Sequence, residues 1–271
     1  MTERLIPDPL VPGAFRVQFG ETAQSWVDPG RPDDLAFEYV QHLAMLLDET
    51  VLARPVDERV RVVHIGGGGL TLPRWVEWRR PRTAQVVCEP DSDLVAEVRR
   101  KIPLGKFSGI KIREVDGLSG VAAMAPAWAD AIVVDAFDGA QVPGELATEE
   151  FFADVARVLR PGGVMAMNMT DHAPFEWARR CIAGIGRHFR HVVIGAEPAV
   201  LKGRRFGNLV CGASAQPLPT ASLVKQAARQ VFGYRLLAHK DATRFVSGAP
   251  PFDAAHPASS PAPSGRHHWF A

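Results

Sequence analysis

Four groups that could do chemistry recur along this chain, each behind a short apolar, β-branched run. Gly66, Gly67, Gly68 and Gly69 follow Arg61-Val62-Val63-His64-Ile65. Glu89 sits in Cys88-Glu89-Pro90-Asp91, about twenty residues further on. Asp116-Gly117 and Asp135-Ala136-Phe137-Asp138-Gly139 come next. Only glycine lets backbone approach a ligand closely or take φ > 0 without steric cost. A glycine turn between a strand and a helix N-terminus is where α/β proteins hold a nucleotide. An acid after the following strand can accept from both ribose hydroxyls. An Asp after the third strand can accept from an exocyclic adenine amine. Each group also has a plain structural reading: glycines serve helix–strand packing, and acids cap helices. Asp91 is read as such a cap. The joint spacing of the others favours a nucleoside site.

Such groups need a sheet to bring them to one edge. From residue 60 onward the pattern alternates. Strands are expected at Arg61–Ile65, Gln85–Glu89, Ile110–Glu114, Ala131–Val134 and Val164–Met169, with helices near 70–80, 91–101, 119–125, 148–160 and 174–187. His191–Ala196 and Asn208–Gly212 close the series as an antiparallel pair. Near-continuous Val/Ile strands separated by helices mean a parallel sheet covered on both faces. Ligands of such sheets bind at the carboxyl edge.

Before that region, Phe15–Phe19 and Ala23–Val27 flank Gly20-Glu21-Thr22 and predict a β-hairpin. Asp33 or Asp34 is then expected to cap a helix carrying Leu35, Tyr39, Leu43, Leu46 and Leu47 on one face. After about residue 214 a short helix, Ala221–Phe232, precedes an Ala/Pro/Ser-rich tail, Ser247–Ala271, read as irregular and mobile. His267-His268 in that tail is read as solvated. The expected division is therefore residues 1–50, an N-terminal hairpin and helix; 51–214, the nucleoside-binding domain; and 215–271, a C-terminal helix and tail.

Bulk properties exclude several functions. With 31 basic and 30 acidic side chains the formal charge is +1, so no global field points to nucleic acid or a membrane surface. The three cysteines, Cys88, Cys181 and Cys211, include no CxxC pair, which fits reduced thiols better than disulfides or a zinc site. No metal is expected. No apolar run approaches the roughly 20 residues of a membrane helix. Met1-Thr2-Glu3-Arg4 has no signal-peptide core, and a cytoplasmic protein is expected.

A dehydrogenase fingerprint requires G-x-G-x-x-G, and the later positions here are Leu70 and Thr71. Leu159-Arg160-Pro161-Gly162-Gly163 points elsewhere. This turn is common before the fifth strand of AdoMet-dependent methyltransferase-like domains. The expected fold class is α/β: a doubly wound, mostly parallel seven-stranded Rossmann-like sheet of class I methyltransferase type, with a short N-terminal β-hairpin extension.

Over roughly residues 15–213 the chain resembles the spermidine synthases, the polyamine aminopropyltransferases. Ile65–Gly69 resembles their I-G-G-G-D-G-G turn, and Glu89 the ribose-binding Glu of their V-E-I-D segment. Asp116-Gly117 resembles their adenine-side segment. Asp135-Ala136-Phe137-Asp138 resembles D-S-S-D, whose first Asp is the proposed base and amine anchor. Phe37-Glu38-Tyr39 resembles an F-x-Y segment whose Tyr lines the acceptor site.

The resemblance implies aminopropyl transfer from decarboxylated S-adenosylmethionine to a small-molecule amine. Nucleoside binding then falls to Gly66, Gly67, Gly68, Gly69, Glu89, Asp116 and Gly117. A polyamine arrives protonated at pH 7, so the site needs carboxylates for cations and one base. Asp135 and Asp138 supply these, with Tyr39 bonding the attacking nitrogen. Glu145 adds acid nearby, while Glu149 and Glu150 open a helix capped by Thr148.

The chain departs from the pattern at Gly69, where the family carries the Asp that the resemblance implies holds the aminopropyl ammonium. That departure keeps methyl transfer from S-adenosylmethionine and a non-catalytic nucleoside binder as alternatives. Neither nucleic acid nor membrane is an expected partner, and a homodimer is left open.

Overall fold

The computed structural model describes residues 3–19, 22–230, 233–238 and 240–263. Three N-terminal strands, β1 (Leu5–Pro7), β2 (Phe15–Phe19) and β3 (Thr22–Val27), pair antiparallel in that order. β2 and β3 are the expected hairpin, and β1 adds a third strand. Gly20 and Glu21 of its turn lie outside the described residues.

Helix α1 (Glu38–Asp48) begins later than Asp33 or Asp34 would allow. Extended Phe37 stands at its N-cap without a side-chain bond. Asp34 instead closes a turn with Arg31, through an ion pair of 3.2 Å and a backbone bond of 3.0 Å. Leu43, Leu46 and Leu47 of α1 are buried, and Tyr39 packs partly buried beside them.

Alternation then runs as expected: β4 (Arg61–Ile65), α2 (Thr71–Arg79), β5 (Ala84–Cys88), α3 (Ser92–Lys101), β6 (Ile110–Arg113), α4 (Gly117–Ala122), β7 (Ala129–Val134), α5 (Glu149–Val158), β8 (Leu159–Asp171) and α6 (Glu176–His188). It closes with β9 (His191–Ala196), α7 (Pro198–Leu201), β10 (Gly207–Ser214), α8 (Thr220–Ala227), β11 (Arg235–Ala238) and α9 (Lys240–Val246). The main sheet has the order β11-β9-β10-β8-β7-β4-β5-β6. It is parallel from β6 through β8, and β10 and β9 form the antiparallel pair.

Among the described residues eight strands rather than seven make this sheet, because Arg235–Ala238 pairs antiparallel with β9. A four-residue run has too few repeats to reveal a period by itself. The helix expected over Ala221–Phe232 is α8, which ends at Ala227; Phe232 lies outside the described residues.

Every residue of β7 is buried, as a parallel strand covered on both faces requires. One face packs on α4, α5 and α6 through Val121, Phe151, Val155, Cys181 and Ile185. The other packs on α1, α2 and α8 through Leu43, Leu47, Trp75, Val76 and Leu223. The N-terminal sheet buries Leu5, Val17 and Val27 against Leu70, Leu94 and Val98, so it lies over the start of α2 and the body of α3.

The tail departs most from expectation. Residues 247–263 have little regular structure but pack on the domain, with Phe252 and Ser260 fully or nearly buried. His267 and His268 lie outside the described residues. Among the described residues no helix is long and apolar enough to cross a membrane.

Candidate active site

β4 pairs with β5 on one side and β7 on the other, so the strand order reverses there. Ligands bind outside the carboxyl ends of the strands at such a switch point. A cleft of about 2060 Å³ opens at that position. Gly66, Gly67, Gly68, Glu89, Asp116, Gly117, Asp135, Asp138 and Tyr39 all line it.

The glycine turn is built by close approach. Gly66 has φ +90°, and a Cβ there would strike the Asp135 backbone carbonyl. Its N–H bonds to the Cys88 carbonyl at 2.9 Å, locking the turn to the end of β5. Glu89 finishes the lock. Its Oε2 accepts from the N–H groups of Gly67 (2.8 Å) and Gly68 (3.3 Å), and Oε1 from the Asp91 N–H (3.0 Å). Three of a carboxylate's roughly four acceptor sites are thereby engaged, so a diol would have to displace the longest bond.

Asp116 is the N-cap of α4 on the rim of the cleft. Its oxygens accept from the Ser119 N–H (2.7 Å) and hydroxyl (2.8 Å), which hold its carboxyl below the usual range. Gly117 behind it is buried, and a Cβ there would strike the Ile65 side chain. Asp91 caps α3 through the Leu94 N–H, and Thr148 caps α5 through that of Phe151, as expected.

Gly69 is a correction. It does not line the cleft: a Cβ at 69 would lie 2.8 Å from Val27 Cγ1 and 3.3 Å from Val17 Cγ2, under the N-terminal sheet. Its glycine answers to packing, a contact between segments distant in sequence, and a side chain here would push into an apolar layer rather than towards a ligand.

The other end of the cleft centres on Asp135. The backbone of Asp135 is fixed by a 2.9 Å bond to the Ile65 carbonyl, and its Oδ1 accepts from Asn168 Nδ2 at 3.0 Å. Burial pushes the Asp135 carboxyl up to about 6, against the opposing effect of the Asn168 bond. Tyr39 is held well above the ordinary phenol value, first by burial and then by the Asp135 charge, and so offers an O–H donor to the same space. Asp138 is exposed at the tip of the following loop, where its backbone bonds reciprocally with Gln141 (2.9 and 3.2 Å). Glu38 and Glu145 add acid to the lining, and the Glu197–Arg205 ion pair flanks the same region.

Asn168, Thr170, His64 and the tail residues Ser259 and Pro263 also line the cleft and carry no motif. Asn168 did leave a trace: it is the lone amide in Val164-Met165-Ala166-Met167-Asn168-Met169, and an amide in a buried strand must be paired or used. Its Oδ1 is buried without a partner. His64 bonds Gln85 Oε1 at 2.9 Å, and burial lowers its ring to about 4, so it stays neutral. Among the described residues no group of three or more His, Cys, Asp or Glu is gathered to hold a metal ion.

The strand order and the cleft at its switch point define a methyltransferase-type α/β protein. No family model matches the chain. It is 32% identical to the polyamine aminopropyltransferase of Chromobacterium violaceum over 151 residues, 55% of this chain and 54% of that protein. It is 35% identical to putrescine N-methyltransferase 3 of Nicotiana tabacum over 111 residues, 39% of this chain and 29% of that one. The chain thus spans about half the length, or less, of the curated relatives it matches. A crystal structure of a probable spermidine synthase from Corynebacterium glutamicum superposes with a TM-score of 0.84 at 27% identity, covering 92% of this chain and 91% of that one. Within the methyltransferase-type fold, the chain is thus similar to a probable spermidine synthase over nearly its whole length and to polyamine aminopropyltransferases over about half of theirs.

Proposed function

We propose that the protein transfers an aminopropyl group from decarboxylated S-adenosylmethionine to a small diamine or polyamine. One observation carries this reading. Asp135 is a carboxyl pushed up by burial to about 6, bonded to Asn168, near enough to Tyr39 for its charge to raise that phenol, and joined to the nucleotide-type glycine turn through Ile65 and Gly66. A base is most effective when its pKa lies near the working pH. At pH 7 such an Asp is mostly ionised yet basic enough to take a proton from an amine.

The chemistry follows from these parts. The acceptor nitrogen forms a C–N bond to the carbon beside the sulfonium while the C–S bond breaks, its electron pair passing to sulfur. Methylthioadenosine leaves as a neutral thioether, and the nitrogen's proton goes to Asp135. Tyr39 orients the nitrogen, and Asp138 with Glu38 and Glu145 attracts the acceptor's second ammonium. Glu89 takes the ribose, Asp116 and Gly117 border the adenine, and Gly66 to Gly68 bring backbone to the sulfonium side.

Methyl transfer from S-adenosylmethionine is the second reading, favoured by the 35% identity to putrescine N-methyltransferase 3 of Nicotiana tabacum over 111 residues. The proposal also has the protein in the cytoplasm, where its three buried free thiols stay reduced. The test supplies each donor with putrescine, cadaverine or spermidine. Methylthioadenosine from the decarboxylated donor supports aminopropyl transfer. S-adenosylhomocysteine from the intact donor, with no methylthioadenosine, replaces it with methyl transfer.

A further inference from the structure

The segment after α9 does more than end the chain. It is stapled to α5 and α6 by the Glu149 N–H to the Phe252 carbonyl (2.9 Å), the Ala254 N–H to Glu150 Oε2 (2.9 Å) and the Arg180 guanidinium 4.0 Å over the Phe252 ring. Trp177 Nε1 then donates to the Ala258 carbonyl at 2.6 Å. Gly144 lies against the Ala258 backbone so closely that a Cβ would come within 2.8 Å of it.

Everything converges on Ser260, which is 0% exposed. Its N–H donates to the Val142 carbonyl (3.1 Å), and its Oγ accepts from the Val142 N–H (2.8 Å). Its carbonyl accepts from Gln141 Nε2, and its Oγ lies 3.1 Å from Thr170 Oγ1. Gln141 is the residue whose backbone bonds reciprocally with Asp138, while Thr170, Ser259 and Pro263 line the cleft. A plain end-packing role would be met by the apolar contacts of Phe252. It would not require a buried serine joined at once to the Asp138 loop and to the end of β8.

We infer that residues 250–263 are a strap that positions the loop carrying Asp138 and walls the acceptor half of the cleft. This rests on the aminopropyl-transfer reading only for the identity of the acceptor. The wall it presents, a serine and a proline, carries no charge and suits the methylene spacer of a diamine, leaving the ammonium groups to Asp135 and Asp138. Ser260 is thus a positioning residue acting through Gln141 and Val142.

The test compares the full chain with Ser260→Ala and with Trp177→Phe, which keeps an aromatic ring outside the cleft while losing the N–H bond to Ala258 and part of the packing on Phe252. Two readouts are taken. Amide hydrogen exchange should quicken about tenfold or more at Asp138, Gln141 and Val142, with Gly66 to Gly68 unchanged. The acceptor KM should rise about five- to tenfold while kcat and donor KM stay within about twofold. Trp177→Phe should move both in the same direction by less, and it decides the matter if Ser260→Ala does not fold.

Unchanged exchange in the Asp138 loop would overturn the strap, as would a donor KM that rises in step with the acceptor KM. If the wild type releases no methylthioadenosine but the exchange pattern appears, the strap stands and the aminopropyl reading falls. If the wild type transfers and neither variant shifts the acceptor KM, the strap falls alone.

Discussion

Over β4, β5 and β6 the cleft is walled by residues that directly follow strands, and much of that wall is backbone. The Gly67 and Gly68 amides are clasped by Glu89, and Asp116 is engaged as the cap of α4. Over β7, β8 and β10 the wall is assembled from side chains far apart in the chain. Tyr39 comes from α1, Asp135 from the end of β7, Asn168 and Thr170 from β8, and Ser259 and Pro263 from the C-terminal segment. The first half holds its polar groups to one another; the second leaves a carboxyl raised to about 6 beside an amide oxygen with no partner. A region satisfied by itself suits recognition of a constant ligand. One with raised and unpaired groups suits chemistry, because the missing partners are what a substrate supplies.

Substitutions on the two sides should therefore separate binding from turnover. The largest effect is expected at Asp135: Asp135→Asn keeps the shape and removes the base, and should lower transfer by about 10²–10⁴-fold, read as product formed under saturating donor and acceptor. On the other side, Glu89→Gln should weaken nucleoside binding by roughly ten- to a hundredfold, the ~1.5–3 kcal/mol of a hydrogen bond to a charged group, with kcat at saturation much less affected. Equal losses in both parameters would mean that Glu89 supports the whole cleft through the glycine turn.

Gly69 sharpens the boundary between the halves from beneath. Gly69→Ala should destabilise by about 1–3 kcal/mol through overpacking against Val27, seen as an earlier urea midpoint at constant slope, and should leave donor preference alone. A change of preference without a change of stability would return position 69 to the ligand site.

The smallest effect concerns pH. Asp135 is raised from the usual 3.8 to about 6, so the folded state holds its proton more tightly than the unfolded one. The stability this contributes is complete below about pH 4 and is lost as the pH rises to about 6. Because the cleft admits water, the loss should be on the order of 1 kcal/mol, and Asp135→Asn should not show it. Parallel unfolding curves for the two proteins between pH 4 and 6 would contradict the raised carboxyl.

The first half was legible in the sequence because its parts are local. A β-branched run, a glycine turn and an acid at the next strand end are all patterned within about thirty residues, the length of one βαβ unit. Gly69 misled for the opposite reason. A glycine required by a contact with Val27 and Val17 looks, in sequence, like a glycine required by a ligand. The eighth strand was hidden because four residues, Arg235–Ala238, show no periodicity until β9 pairs with them. Ser259, Ser260 and Pro263 were read as mobile because a Pro/Ala/Ser composition argues against a core of its own. It is silent on whether such a segment can dock on the core of another.

The division of labour between the halves is tested most directly by titrating methylthioadenosine into wild type, Glu89→Gln and Asp135→Asn by calorimetry. The account predicts that Asp135→Asn binds the nucleoside within about threefold of wild type while Glu89→Gln binds it roughly ten- to a hundredfold more weakly. Asp135→Asn losing nucleoside affinity as severely as Glu89→Gln would contradict it.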